Sequence, residues 1–519
     1  MGYKDLTIEQ KIGRVLCARP IRGRDADMEY TLKLLRSGAC SVVQVRVNKD
    51  APEVIKTLRE AADYPIIIVN DMEKGYLPSG RPTVPMLSLA ACNNPEYTRA
   101  FAAVLAKEAR EDGFSGCWGP VVDILHCNAP CSVFRKAGDT PEGVLKLTRD
   151  IAEVFSSYNF QATAKHYPGG FYDIDTHMAE GTCSATEEDL LKFDLVPYLE
   201  LIKDGILPAI MTEHSSFPNI DPDYPASLSK KVIDIIRNQG YDGLLYTDSL
   251  AMMGILQKYG EKRAMALALM AGNDVILPNY RTSTEDVYKM MLECYEEGLI
   301  TEERIDEANR RIEEAAAKFA AIPENPEKVP ENINDILLAI SRDCITAEYE
   351  DGISRSLSPE EKMLFIVSTP MEFSELNEEV SFGKWYSPHR VKSAILESFP
   401  NSEVEFIPEF PTGSDNERIL NAATLYDKVV FVTYCTTEAY LGTDGLTRRL
   451  EEVIKCLNLS GKIEALVHFG NPMAILTLPT IPRRILGYLA SDSQKYAFEV
   501  LSGKIEAKGK NPFPRLCKG

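Results

Sequence analysis

The sequence has no excess of positive charge and no long apolar run. Its 519 residues include 57 Lys and Arg against 77 Asp and Glu, which gives a formal net charge of −20. Nucleic acids and anionic membranes attract positive surfaces, so we expect neither as a partner. The absence of about 18 consecutive uncharged apolar residues excludes a membrane-spanning helix. The composition therefore favours a small neutral molecule as the partner.

The sequence also lacks a visible leader segment and a dense set of cysteines. Its first residues do not combine a basic start with an apolar run, so we expect no signal peptide and a cytoplasmic location. The 12 cysteines are too dilute for a disulfide scaffold and are expected to be reduced. Cys127 and Cys131 lie beside His126, but this spacing fits no structural zinc site. We expect small buried thiols there, and no metal or cofactor.

Short apolar runs alternate with amphipathic segments over the first 320 or so residues. Strands are predicted at 14–18, 41–47, 66–70, 86–89, 119–124, 161–165, 209–212, 243–247 and 274–277. Helices are predicted at 52–62, 95–112, 141–158, 187–203, 230–238, 261–270 and 301–321. This alternation indicates β-α units on a parallel sheet. About eight units are typical of a (β/α)8 barrel, so one of the predicted strands must be irregular.

A proline-rich segment follows the predicted barrel. Residues 322–330 read IPENPEKVP, and three prolines in nine residues cannot propagate a helix. Further strands are predicted at 363–368, 404–407, 429–433, 465–469 and 485–489, with a helix at 446–457. The expected organisation is α/β throughout: an N-terminal (β/α)8 TIM-like barrel over 1–321, a linker over 322–335, and a smaller open α/β sandwich domain over 336–519.

Ionisable residues stand at or near the ends of five predicted strands of the barrel. They are Asp71, Asp123, Lys165 with His166, Glu213 with His214, and Asp248. Barrel enzymes have their active sites at the C-terminal ends of the strands. The pattern therefore predicts an active site at this end of the barrel.

The segment after Lys165 and His166 contains a candidate acid/base pair. Its Pro-Gly-Gly sequence at 168–170 is typical of a turn. Asp175 and His177 are two residues apart and share a face of an extended chain. A carboxylate that accepts a hydrogen bond from one ring nitrogen leaves the other nitrogen able to give or take a proton near neutral pH.

Several segments, in the same order, resemble glycoside hydrolase family 3 and in particular its β-N-acetylglucosaminidase branch. They are Leu6 to Gly13, Asp71-Met72-Glu73-Lys74-Gly75, 134–142, Lys165-His166-Tyr167-Pro168-Gly169 with Asp175-Thr176-His177, 211–214, 224–229, 243–252 and 500–512. The resemblance implies a retaining hydrolase that removes a terminal β-linked N-acetylglucosamine, from muropeptides or chitin fragments.

The resemblance also implies roles for individual residues. Asp248 would be the nucleophile, and His177 held by Asp175 would be the general acid/base. Substrate-binding roles carry over to Asp71, Arg135, Lys165 and His166, and His214 would lie near the floor of the pocket. These are the polar groups that a neutral, hydroxyl-rich sugar requires.

The sequence departs from the family pattern near the acid/base pair. Positions 168–171 read Pro-Gly-Gly-Phe where the family has Pro-Gly-His-Gly or Pro-Gly-Arg-Gly. Met178-Ala179-Glu180 follows the histidine, where the family usually places Leu and, two residues on, Pro. These departures leave open the leaving group and the sugar rather than the chemistry.

Three alternatives to the N-acetylglucosaminidase stay open at the level of sequence, and one of them, a β-glucosidase, is also a hydrolase. With an Asp–His pair and no anionic general base, phosphate could replace water, which would make the protein a phosphorylase. A β-glucosidase would take its acid/base carboxylate from elsewhere, with Glu409 or Glu438 as candidates. A non-catalytic sugar-binding relative is the third. Trp385 and Tyr386 could stack on a sugar or pack in a core.

Overall fold

The computed structural model describes residues 2–20, 25–127, 133–170, 174–369, 388–435 and 445–516. Two compact units are present. The first comprises the described residues of Met1–Arg81, Thr98–Cys127 and Lys136–Glu331, and the second those of Pro82–Tyr97, Asn128–Arg135 and Asn332–Gly519. The main change of unit, between 331 and 332, lies within the segment 322–335 that we expect to be the linker. The boundaries 1–321 and 336–519 stay a prediction.

The described part of the first unit contains seven short parallel strands in two sheets. The first sheet has the order β1 (Cys17–Ala18), β2 (Val42–Gln44), β3 (Ile67–Val69). The second has the order β4 (Gly116–Cys117), β5 (Gln161–Tyr167), β6 (Ala209–Thr212), β7 (Leu244–Thr247). Strands that follow each other in the chain are neighbours in the sheets, as β-α units require.

Backbone contacts join the two sheets into a ring. The Ser115 N–H donates to the carbonyl of Ile68 at 2.8 Å, which links the β4 segment to β3. Residues 274–277 fill the gap on the other side, because Val275 forms a parallel bridge to β7 and Ile276 one to the residue before β1. This segment takes the eighth strand position, and the expected (β/α)8 barrel is confirmed.

Helices surround the barrel strands and bury their apolar faces against them. Their bounds are Ile8–Arg14, Asp25–Arg36, Ala51–Glu60, Pro95–Glu111, Pro141–Ser157, Glu187–Lys192, Val196–Lys203, Lys230–Asn238, Met253–Tyr259, Glu261–Ala271, Thr284–Glu296 and Glu302–Ala320. Thr140, Thr186, Ser229 and Thr301 cap four of them, each accepting a backbone N–H of the first turn. The described residues include no helix with the length and apolar content to cross a bilayer.

Two predicted strands differ from the structure. Residues 86–89 lie in the helix Met86–Cys92 of the second unit, where Leu and Ala favour a helix. In place of the predicted strand 119–124, the structure has β4, which ends two residues before position 119. Within 119–124, Val121 forms an isolated bridge to β5. Pro120 has no N–H to donate and interrupts the ladder there.

The predicted helix over 187–203 is two helices. Glu187–Lys192 and Val196–Lys203 are separated by Phe193, Asp194 and Leu195. Pro197 explains the break, because its ring would clash with the carbonyl four residues earlier, at position 193, if the helix were continuous. The break leaves Asp194 between the two helices.

The second unit contains one six-stranded sheet among its described residues. Its strands are β8 (Thr346–Tyr349), β9 (Leu364–Thr369), β10 (Glu403–Pro408), β11 (Val429–Cys435), β12 (Ile463–Gly470) and β13 (Arg483–Gly487), in the order β10-β9-β11-β12-β13-β8. Helices at Met86–Cys92, Ile333–Asp343, Pro388–Ser398, Gly413–Thr424, Arg448–Leu459 and Ser493–Leu501 accompany them. The sheet confirms the expected open α/β domain. The sequence did not predict β8, which lies antiparallel at the edge and has no apolar run.

Candidate active site

Asp248 immediately follows β7, at the C-terminal end of the barrel. Its Oδ1 accepts the Ser249 N–H at 2.6 Å, and its Oδ2 lies 3.9 Å from Nε2 of His166. Burial alone would raise the pKa of Asp248, but the charges of His166, His214 and His177 outweigh it and lower the pKa to about 2. The carboxylate is therefore ionised at all ordinary pH values, and its side chain is still 21% exposed.

The ring of His166, whose Nε2 lies near Asp248, is held by a second carboxylate, that of Asp123. Asp123 Oδ2 lies 2.8 Å from His166 Nδ1, and Asp123 Oδ1 accepts the His166 backbone N–H at 2.6 Å. Burial raises the pKa of Asp123, but the charge and hydrogen bond of His166, with Lys136, lower it to about 2. Because this carboxylate is ionised, Nδ1 carries the proton and Nε2 faces Asp248.

Lys165 lies in β5, and its side chain is only 1% exposed. Its Nζ contacts Asp71 Oδ1 at 2.5 Å and Glu73 Oε1 at 2.7 Å. A buried ammonium needs such partners, because leaving water without them is costly. The structure thus brings together the predicted residues Asp71 and Lys165. It adds Glu73, which the sequence shows within a family-like segment but to which we assign no role from sequence.

Asp175 and His177 contact each other as their spacing predicts. Asp175 Oδ1 lies 2.9 Å from His177 Nδ1 and accepts the His177 backbone N–H at 3.0 Å. The carboxylate is almost fully buried, whereas the imidazole is 22% exposed. The His177 carbonyl accepts the Met253 N–H at 3.1 Å. Since His177 also lowers the pKa of Asp248, the imidazole and the carboxylate belong to one electrostatic site.

His214 is buried, and both of its ring nitrogens bond within the protein. Nε2 donates to the carbonyl of Ser249 at 3.1 Å, and Nδ1 accepts from the Ser227 hydroxyl at 2.7 Å. Burial lowers the pKa of His214, although Asp248 opposes this shift. The ring therefore supports the residue next to Asp248. Its contact with a substrate stays a prediction.

Glu213 is a buried acid that the sequence marks only by its position at a strand end. Its Oε2 accepts the Ser215 hydroxyl at 2.6 Å, and its Oε1 has no hydrogen-bond partner in the described residues. Burial raises the pKa of Glu213 to about 8, and the nearby charge of Asp123 raises it further than Lys136 lowers it. The carboxyl group is therefore neutral at pH 7.

The remaining sequence candidates lie in the second unit or outside the described residues. Arg135 ends a short 3-10 helix, Val133–Arg135, of the second unit, and its contact with a sugar stays a prediction. Glu409 follows β10 of the same unit. Cys131, Trp385, Tyr386 and Glu438 lie outside the described residues. Across the described ranges, no group of three or more His, Cys, Asp or Glu side chains is arranged to hold a metal ion.

Comparison with known proteins identifies relatives of both units. The model of the glycosyl hydrolase family 3 N terminal domain matches residues 10–315. A β-hexosaminidase of Xanthomonas oryzae pv. oryzae is 32% identical over 238 residues, which are 43% of this chain and 70% of that protein. A β-N-acetylglucosaminidase/β-glucosidase of Cellulomonas fimi is 25% identical over 321 residues, which are 59% of this chain. The chain spans 56% of the length of that relative.

Solved structures extend the similarity to the whole chain. A glycoside hydrolase family 3 β-N-acetylglucosaminidase from Paenibacillus sp. str. FPU-7 matches 98% of this chain and 99% of its own, at 25% identity and a TM-score of 0.81. A β-glucoside phosphorylase has the same TM-score at 20% identity, which shows a common fold.

Proposed function

The chain belongs to glycosyl hydrolase family 3, and from this premise we propose that it is a retaining glycosidase that removes a terminal β-linked N-acetylglucosamine. The observation that carries the proposal is the charge around Asp248. An ionised carboxylate at the end of a barrel strand has three imidazoles as electrostatic neighbours, and one of these, His177, is paired with Asp175. The names of the relatives above support the choice of sugar.

In the first step, Asp248 attacks the anomeric carbon of the sugar. A carbon–oxygen bond forms between the sugar and the carboxylate, while the bond to the leaving group breaks. The departing oxygen takes the electron pair of that bond and receives a proton from Nε2 of the His177 imidazolium. Asp175 accepts the hydrogen bond from Nδ1 and stabilises the imidazolium before the transfer.

In the second step, water releases the sugar from Asp248. His177, now neutral, takes a proton from the water through Nε2 as the water oxygen attacks the anomeric carbon. The bond to Asp248 breaks, and its electron pair returns to the carboxylate. Two displacements at the same carbon retain the β configuration.

Three predicted side chains of the barrel unit, Asp71, Lys165 and His166, would bind the sugar hydroxyls. A sugar contact of Arg135 stays a prediction from the sequence. An unpaired buried polar group costs about 1–3 kcal/mol, so such a set favours a neutral ring that satisfies it. Muropeptides and chitin fragments are the proposed sources of the sugar. A cytoplasmic location stays a prediction from the sequence.

The decisive experiment traps the covalent intermediate. A fluorinated N-acetylglucosaminyl fluoride slows the second step, and proteolysis followed by mass spectrometry locates the label. We expect the label on Asp248 and none in the Asp248→Asn variant. A label on another residue, or turnover without any covalent intermediate, would overturn the mechanism.

A second assay separates the alternatives of sugar and acceptor. The 4-nitrophenyl N-acetyl-β-glucosaminide and β-glucoside are compared, each with and without phosphate. We expect the N-acetylated substrate to be preferred and free sugar to be released. A preference for the glucoside would indicate a β-glucosidase. Sugar 1-phosphate would indicate a phosphorylase, and binding of the sugar without turnover a non-catalytic relative.

A further inference from the structure

The barrel unit contains a third aspartate–histidine contact, which the proposed reaction does not use. His126 Nε2 lies 2.6 Å from Asp194 Oδ1, although the two residues are 68 positions apart in sequence. The Asp194 side chain is 6% exposed and that of His126 is 18% exposed. Since an ionised carboxylate only accepts hydrogen bonds, Nε2 is the donor. The contact joins the segment after β4 to the break between two helices.

Asp194 is available for this contact because of the break that Pro197 causes. In a continuous helix, the carboxylate would extend from a helix surface. Instead, it lies in the three-residue connection between Glu187–Lys192 and Val196–Lys203. From there, the same Oδ1 accepts the backbone N–H of Gly170 at 3.1 Å. One carboxylate oxygen therefore holds both the imidazole of His126 and the chain at Gly170.

Gly170 belongs to the beginning of the segment that carries the acid/base pair. We call residues 168–170 and 174–183 the His177 arm. Gly169 and Gly170 have φ values of 77° and 113°, which other residues rarely adopt. A Cβ on Gly169 would lie 3.3 Å from Asp194 Cβ, and one on Gly170 would lie 2.9 Å from Cys183 Sγ. The start of the arm is therefore packed against Asp194 and against the arm's own end.

The end and the middle of the arm are bound to the barrel as well. The Cys183 N–H donates to the carbonyl of Ser216, and the Ser216 N–H donates to the carbonyl of Gly181, both at 2.8 Å. The Met253 N–H donates to the carbonyl of His177 itself. The described start and end of the arm are therefore both bound to the barrel, and the same arm carries His177 seven residues after Gly170.

We propose that Asp194 is a positioning residue for His177, and that His126 holds Asp194 in the orientation which anchors the start of the arm. The inference rests on the proposed function for the role of His177. A misplacement of about 1 Å can lower a rate by about 100-fold. Loss of the Asp194 charge weakens the bonds to Gly170 and to His126 together, so its effect should exceed that of changing His126.

The test uses a series of aryl N-acetyl-β-glucosaminides, from dinitrophenyl to unsubstituted phenyl, with Asp194→Asn and His126→Gln. Dinitrophenolate leaves without a proton, whereas phenol needs one from His177. For Asp194→Asn we expect kcat/KM to fall about tenfold or more for the phenyl substrate and less than twofold for the dinitrophenyl substrate. His126→Gln should show the same trend across the series, with a smaller loss for the phenyl substrate.

Asp123→Asn is the matched control, because it removes the carboxylate that fixes His166, a histidine to which the proposed function assigns sugar binding rather than proton transfer. It should lower kcat/KM by the same factor for every leaving group. Equal losses across the series in Asp194→Asn, or no loss in either variant, would overturn the inference. A protein that turns over none of these substrates as wild type would instead contradict the proposed function.

A second measurement does not depend on activity. Hydrogen exchange detected by mass spectrometry should become faster in the peptide that covers 174–183 in Asp194→Asn, while peptides of β2 and β3 keep their wild-type rates. Unchanged exchange in 174–183 would overturn the inference. So would faster exchange throughout the barrel, because that result would show a general loss of stability rather than a local anchor.

Discussion

The two ends of the barrel each hold an aspartate among basic side chains, but with different partners. Asp248, at the C-terminal end, has three imidazoles as its electrostatic neighbours. Asp274, at the N-terminal end, is fully buried and contacts Arg237, Arg304 and Arg311 at 2.7–3.1 Å. Burial raises the pKa of Asp274, but the three guanidinium groups outweigh it and hold the pKa below its usual range.

The difference teaches how the partners of an aspartate suit it to a structural role at one end and, in our proposal, to a chemical role at the other. Guanidinium groups are always charged, and here their hydrogen bonds occupy both oxygens of Asp274. Imidazoles change charge near neutral pH, and the nearest one lies 3.9 Å from Asp248, beyond hydrogen-bond distance. The arginines fix one carboxylate, whereas the histidines keep the other ionised, as the proposed nucleophile must be.

The sharpest division between the two aspartates comes from Asp248→Asn. An amide cannot form the glycosyl ester, so we expect kcat for the 4-nitrophenyl N-acetyl-β-glucosaminide to fall by roughly 10⁴-fold or more. Thermal unfolding should shift down by less than in Asp274→Asn, because the lowered pKa of Asp248 means that its charge adds some stability, but the side chain is partly exposed. Retention of more than a tenth of the activity would remove Asp248 from the mechanism.

His177→Gln tests the imidazole side of the comparison. Removal of general acid/base help should lower kcat by about 10²–10⁴-fold for substrates with poor leaving groups. Because His177 is one of the charges that lower the pKa of Asp248, the pKa of Asp248 should rise in this variant. In a plot of kcat/KM against pH, the fall in rate on the acid side would then occur at a higher pH than in wild type. An unchanged rate would exclude His177 as the acid/base.

Asp274→Asn should have the opposite outcome to Asp248→Asn. It leaves three buried guanidinium groups without their carboxylate, and breaking a buried pair costs about 3–5 kcal/mol of unfolding free energy. Urea unfolding measures this loss, and kcat per folded molecule should stay within about twofold of wild type. A stable but inactive variant would contradict the division of roles between the two ends.

The last expected effect concerns the buried acid Glu213 and appears only as a dependence of stability on pH. Its pKa is about 8 in the folded protein against an ordinary value of 4.5, so between these values the folded protein holds a proton that the unfolded chain has released. This contribution to stability is complete below the lower value and is lost as the pH rises towards 8. Glu213→Gln should therefore gain unfolding free energy relative to wild type between about pH 5 and about pH 8. Urea unfolding of both proteins at the two pH values measures this gain. If the difference in unfolding free energy between variant and wild type is the same at both pH values, the raised pKa of Glu213 is contradicted.

The sequence predicts most of the barrel because strand ends and helix lengths are local properties. The strands at β5, β6 and β7 and the contact between Asp175 and His177 follow from runs and spacings of a few residues. Residues 86–89 show the limit, since an apolar run that short suits a strand or a buried helix equally well. Whether the run forms a strand or a helix depends on the unit in which it is buried, and that is not a local property of the sequence.

Contacts between distant segments are the part that the sequence does not predict. Asp123 was visible at a strand end, but nothing local shows that it would fix His166. The bond between His126 and Asp194 joins residues of different β-α units, and it depends on a helix break whose cause, Pro197, lies three residues away. Glu73 could have been found from its place in the Asp71 segment, because a buried lysine needs compensating charge.

The ion pair of Lys165 has a consequence for the kind of sugar that the barrel can accept. One ammonium contacts two carboxylates, those of Asp71 and Glu73, so these three side chains by themselves carry one more negative charge than positive charge. In the proposed binding mode, a uronic acid or a phosphorylated ring at these residues would be repelled, while an uncharged ring would meet acceptors for its hydroxyl protons. The proposed function thus gains an expectation about acidic sugars from the ratio of one ammonium to two carboxylates.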